Sequence, residues 1–206
     1  MARKDRFPDK GKRQQPRRVA ERDLRPRLLI VCGGKQTEPN YFRSFRVHAV
    51  IEVVGIGKDP RSLIRETEKK QKSANQDGQP YDEVWVVFDR DDYPAADFNA
   101  AIQLAKEAKM YTAWSNEAFE LWYVLHFDYV HTGLRRDQYI ERLNKCLGHP
   151  YTKNSLKIYA ELASLQENAL RNAERLLSNY SEHIPPAEAN PCTTVFQLIS
   201  RLRDLQ

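Results

Sequence analysis

Cysteine is scarce in this chain, and its placement excludes several kinds of protein. Cys32, Cys146 and Cys192 are the three among 206 residues. They are odd in number, far apart and without a Cys-x-x-Cys pair, so a zinc site is not expected and a reducing cytoplasm is the natural setting. Long apolar runs are also missing. None approaches the roughly 20 residues needed to cross a bilayer, so no membrane partner is expected. The basic N-terminal residues lack the apolar segment of a secretory signal. No internal repeat is visible.

What remains is a globular composition with a polar surface: 41% hydrophobic and 10% aromatic residues. The length suits one domain with a substantial core, or one domain with a small appendage. The formal net charge of +5 is unevenly spread. Residues 1–27 hold eleven Lys/Arg against four Asp/Glu, so the rest of the chain is slightly acidic. A basic arm over 1–26, including Arg17 and Arg18, has little apolar content and could follow a nucleic-acid backbone; a solubilising tail is the alternative.

Beyond the arm, apolar strands and amphipathic helices alternate. "RLLIVCGG", "AVIEVVGIG", "EVWVVF" and "MYTAW" read as four strands, the first and third without polar alternation, as in strands buried on both faces. Between them, "TEPNYFRSFRV" predicts a short helix with Thr37 as N-cap. "DPRSLIRETEKKQKS" predicts one with Asp59 as cap, Pro60 at the first helical position and Leu63, Ile64 and Thr67 inward. "AADFNAAIQLAKEAKM" predicts another with Phe98, Ile102 and Ala105 inward. "AFELWYVLHF" reads as a mostly buried helix capped by Ser115 or Asn116. This order predicts a four-stranded, mostly parallel sheet with helices on its faces over 27–130. Residues 131–206 read as a helical extension: "RRDQYIERLNKCLG", then one long helix from Leu156 to Tyr180, a break at "IPPAEANP", and a last helix capped by Thr193 or Thr194.

The chemistry concentrates in three places. Asp89, Asp91 and Asp92 follow the third strand at its carboxyl end, where parallel α/β sheets bind ligands. Alternation puts Asp89 and Asp91 on one side and Arg90 on the other. Paired carboxylates there repel unless a cation lies between them, and Mg²⁺ (or Mn²⁺) suits oxygen donors; a structural ion pair is the alternative. Gly33 and Gly34 end the first strand and leave room for a phosphate, with Lys35 beside them. Glu38, in the first turn of the next helix, would either join the metal or complement the helix dipole. Glu120 lies in an apolar helix and, if buried, needs a partner; Glu117 is one turn away. His126, two turns below Phe119, is a candidate for proton transfer or phosphate binding, or a hydrogen-bonded core residue. Tyr93, Tyr111 and Trp114 are candidates for stacking on bases, or core aromatics.

Together "LLIVCGGKQTEPNYF", "VWVVFDRDD" and "SNEAFELWYVLHF", with weaker support from "HPYTKNSLKIY" and "NPCTTVFQLISRL", resemble the RloB family, prokaryotic proteins found with restriction and phage-defence loci. The resemblance implies a Toprim-like fold, as in topoisomerases, primases and overcoming-lysogenization-type nucleases. It also implies magnesium held by an early glutamate and the Asp-x-Asp pair, nuclease activity on RNA, transfer RNA being one candidate, or DNA, and a role in antiviral defence. Another defence subunit and a second copy of the chain are candidate partners. The pattern departs at one position: the family reads Cys-Glu-Gly where this chain has Cys32-Gly33-Gly34. The chain is then a variant relying on Glu38 or Glu120, a non-catalytic nucleotide- or partner-binding subunit, or a nuclease disarmed by an introduced glycine. A phosphatase with Asp89 as nucleophile fits less well, because "DRDDY" lacks the hydroxyl residue two places after such a pair.

Overall fold

A computed structural model describes residues 25–206; Arg17, Arg18 and nearly all of the basic arm lie outside the described residues. Strand β1 (Arg27–Cys32) is fully buried from Leu28 to Cys32. Its alternation sends Leu28, Ile30 and Cys32 into one apolar cluster and Leu29 and Val31 into a second on the opposite face. Both faces are therefore covered, which explains the unbroken apolar run. Each such side chain contributes about 1.5–3 kcal/mol on burial.

β1 pairs in parallel with β2 (Val50–Gly55) on one side and β3 (Glu83–Asp89) on the other. β3 in turn pairs in parallel with β4 (Tyr111–Asn116). A fifth strand, β5 (Cys192–Thr193), adds antiparallel to β4, giving the order β2-β1-β3-β4-β5. The sheet is thus mostly parallel, as its sequence implies, but five-stranded rather than four-stranded. The extra strand is two residues long and carries no periodicity to read.

Helices α1 (Thr37–Arg43), α2 (Pro60–Gln76) and α3 (Ala95–Glu107) connect the parallel strands. Asp59 caps α2 by accepting the Ser62 N–H at 3.0 Å, with Pro60 at the first helical position. Leu63, Ile64 and Thr67 are buried against β1 and β3, and α3 buries Phe98, Ala101 and Ala105, with Ile102 only half-buried. Opposite them, α4 (Glu120–Val124), α5 (Arg136–Leu147), α6 (Ile158–Leu162), α7 (Gln166–Ser178) and α8 (Val195–Arg203) share one cluster with Leu28 and Ile30 of β1.

Several local expectations are revised. Thr37 is the first helical residue rather than the cap, and its hydroxyl donates to the Lys153 carbonyl at 2.7 Å. Ser115 and Asn116 finish β4 instead of capping α4. The Asn116 amide donates to the carbonyls of Ala187 (3.0 Å) and Ala189 (2.9 Å), and more weakly to Pro186 (3.3 Å), so it holds the loop before β5 against the sheet. The long helix from Leu156 is interrupted by a 3-10 turn at Ala163–Leu165. Thr193 belongs to β5, and its hydroxyl accepts the Val195 N–H at 3.2 Å. Thr194 is the N-cap residue of α8, as expected, but its hydroxyl accepts the Trp114 N–H at 3.0 Å instead of a helix N–H.

Candidate active site

Between β1 and β3 the strand order reverses direction, and the connections leave to opposite sides. Ligands bind at such a switch point, beyond the carboxyl ends of the strands. A cavity of about 580 Å³ lies there. Gly33 and Gly34 reach it from the end of β1, and Asp89 and Asp91 from the end of β3. Glu38 of α1 and Glu120 of α4 complete an acidic floor, with Phe88 and Phe119 as an apolar wall. Lys35, Lys58 and Lys153, each from a different loop, also line it.

Two backbone features put these carboxylates together. Gly34 donates its N–H to Glu38 Oε1 at 3.2 Å, and a Cβ on Gly34 would overlap both oxygens of that carboxylate. Only glycine lets Glu38 approach so closely. Asp91 adopts φ +46°, a left-handed turn that aspartate tolerates, and its N–H donates to the Glu117 carbonyl at 2.9 Å. This turn, rather than strand alternation, brings the Asp91 side chain back beside Asp89. Gly33 is different: a Cβ there would meet Phe88 Cβ and Val87 O at 3.5 Å, ordinary contact distance.

Sequence reasoning missed Arg136. Its Nη1 donates to Asp91 Oδ2 at 2.7 Å, its Nη2 to Asp89 Oδ2 at 3.2 Å, and its Nε lies 3.7 Å from Glu120 Oε2. The available signal was Glu120 itself, 3% exposed inside an apolar helix and in need of a cation. Burial alone would lower the Arg136 pKa, but Asp89, Asp91 and Glu120 outweigh it and raise it. Burial pushes the Asp89 carboxyl well above its ordinary range, with Glu38 and Glu120 adding repulsion. Burial and then Glu120 raise Glu38, against its backbone hydrogen bonds. One guanidinium thus serves three carboxylates.

Other candidates lie elsewhere. His126 is fully buried below Trp122, its Nδ1 2.9 Å from the Trp122 carbonyl, and burial lowers its pKa to about 4; it does not line the cavity. Arg90 points away from the carboxylates and donates to the Ala187 carbonyl at 3.1 Å. Glu117 is half-buried and outside the cavity lining. Of the aromatics, Tyr93 lines the cavity and is 36% exposed. Tyr111 stacks on Trp85 at the amino end of β4, and Trp114 packs against Phe98 in the core.

Among the described residues, no three His, Cys, Asp or Glu side chains form a ready metal-ion group. The donor chemistry nevertheless fits a hard divalent cation. Asp89 Oδ1 is buried without a hydrogen-bond partner, and it adjoins two further buried carboxylates whose charge it feels. Among the described residues, no helix is long and apolar enough to cross a membrane. A family model described as RloB-like protein matches residues 28–202. No curated protein and no solved structure gives a match.

Proposed function

We propose that this chain, which belongs to the RloB-like protein family, is a divalent-metal-dependent nuclease that hydrolyses phosphodiester bonds in RNA or DNA and serves antiviral defence. The observation that carries this reading is one cavity at the carboxyl ends of β1 and β3 with four carboxylates and three rim lysines. Acid below and base above suit a phosphodiester whose reacting phosphate needs a metal and whose neighbouring phosphates need cations.

Asp89 and one of Glu38 and Glu120 are the residues that would hold Mg²⁺ or Mn²⁺. When bound, such an ion neutralises charge on the phosphoryl oxygens and lowers the pKa of a coordinated water. The chain's own groups do the rest. Lys35 and Lys153 hold flanking phosphates; Lys58 contributes less, because it also pairs with Glu66 at 3.4 Å. Phe88 and Phe119 restrict bulk water from one side. In hydrolysis the water oxygen bonds to phosphorus, the bond to the leaving sugar oxygen breaks, the water proton passes to whichever of Glu38 and Glu120 does not hold the ion, and the leaving oxygen takes a proton from solvent. Gly33 contributes no carboxylate, so the rate is expected to be lower than with glutamate there.

A non-catalytic subunit that binds a nucleotide or a defence partner is the second reading. It is favoured by Gly33 and by the ion pairs that Arg136 already makes with Asp89 and Asp91. Cleavage assays on transfer RNA, single-stranded RNA and DNA in Mg²⁺ separate the two. Under the nuclease reading Asp89→Asn reduces cleavage by about a hundredfold. If neither the wild type nor Gly33→Glu cuts any of the three polymers, the binding-only reading replaces it.

A further inference from the structure

Arg136 opens α5, so it brings a cation from the C-terminal helices to acids carried by β3, its following turn and α4. Its use of that position is incomplete. Asp89 Oδ1 and Arg136 Nε are both buried and both lack a hydrogen-bond partner. Arginine–carboxylate pairs are frequently two-pronged, with two parallel N–H···O bonds to one carboxylate. Here the fork is split between Asp89 and Asp91, and one oxygen of Asp89 is left idle beside Glu38 and Glu120.

From this geometry we infer that Arg136 is a resident counter-cation, whose repulsion a divalent ion must overcome to occupy Asp89. The inference rests on the metal-binding reading above. Several carboxylates crowded into a half-buried pocket do not stay ionised without positive charge nearby. Arg136, 28% exposed at its side chain, supplies that charge and is accessible enough to withdraw toward solvent. Arg136 holds Asp89 through Oδ2 alone, so a divalent ion arriving at the idle Oδ1 meets the repulsion of the guanidinium across one carboxylate. Metal affinity in the wild type is then lowered by that repulsion, which favours withdrawal of Arg136 from Asp89. Metal loading is sensed at the first turn of α5, outside the sheet that carries the acids.

Calorimetric titration of the full chain with Mn²⁺ alone tests this. Arg136→Gln is expected to bind Mn²⁺ about tenfold more tightly than wild type, and Asp89→Asn to abolish binding in either background. Equal or weaker Mn²⁺ binding by Arg136→Gln, with Asp89→Asn still abolishing it, overturns the inference and leaves the metal reading standing. No Mn²⁺ binding by wild type or Arg136→Gln removes both. Should Arg136→Gln not fold, the wild type supplies the second measurement, the Arg136 Nε–H signal in a ¹⁵N spectrum during Mg²⁺ titration. The signal is expected to move and to exchange faster with solvent; a signal unchanged at saturating Mg²⁺ overturns the inference.

Discussion

Gly34 and Glu38 are matched to each other: the glycine N–H binds the carboxylate, and the missing Cβ is the space that the carboxylate oxygens fill. Gly34→Ala must therefore push Glu38 aside. Because the obstructed atoms are the far end of a flexible side chain, stability is expected to change by no more than about 1 kcal/mol. Mn²⁺ affinity is expected to fall by about tenfold, an effect of the size reported for disturbed metal shells. Thermal unfolding beside Mn²⁺ titration checks both. A large loss of stability with unchanged affinity would show that Glu38 is a structural acid.

Gly33→Glu is expected to fold, because a Cβ at that position meets only ordinary contacts. The new carboxylate would start from the end of β1, beside Asp89. Mg²⁺-dependent cleavage is expected to rise by about tenfold or more over wild type, the scale of a positioned catalytic group. Single-turnover assays on the three polymers measure it, and a decrease would argue that the glycine serves this chain's own substrate.

Asn116→Ala removes one amide that serves the carbonyls of Ala187 and Ala189. Buried acceptors left without donors cost about 1–3 kcal/mol each. An overall destabilisation of about 2–4 kcal/mol is expected in urea unfolding. A change below about 0.5 kcal/mol would mean that the loop before β5 is held by other contacts.

His126 makes folding pH-dependent. Its folded pKa of about 4 lies below the unfolded value of about 6.5. Between these values the unfolded chain binds a proton that the folded chain does not. Stability is therefore retained above about pH 6.5 and lost as the pH falls toward 4, by about 3 kcal/mol in total. The raised carboxyls of Asp89 and Glu38 act with the opposite sign, losing stability as pH rises above the ordinary carboxyl range. The difference between wild type and His126→Asn, followed by urea unfolding from pH 7 to pH 4, removes that background. A flat difference curve would exclude a buried neutral imidazole.

Much of the sheet was legible because its signals are local. A short apolar run without alternation, rich in β-branched residues and bounded by turn or charged residues, fits a strand covered on both faces, as in "LLIVC" of β1 and "VWVVF" of β3. Asp59 and Pro60 announce the start of α2 through bonds made within one turn. The candidate site was legible in part for the same reason. Glu38, Asp89 and Asp91 stand just past the carboxyl ends of parallel strands, and topology brings such positions together.

Sequence alone therefore determined the α/β alternation, the acidic end of the sheet and the need of Glu120 for a partner. Tertiary structure alone decided that the partner is Arg136, 47 residues from Asp89 along the chain. It also decided that a two-residue strand closes the sheet, that Asn116 holds the loop before β5 rather than a helix end, and that the Thr194 hydroxyl bonds β4 rather than the helix it precedes. Strand and helix periods follow from steric repeats along one segment. An ion pair or a strand edge is chosen by which distant segments packing leaves adjacent, and no local pattern records that choice.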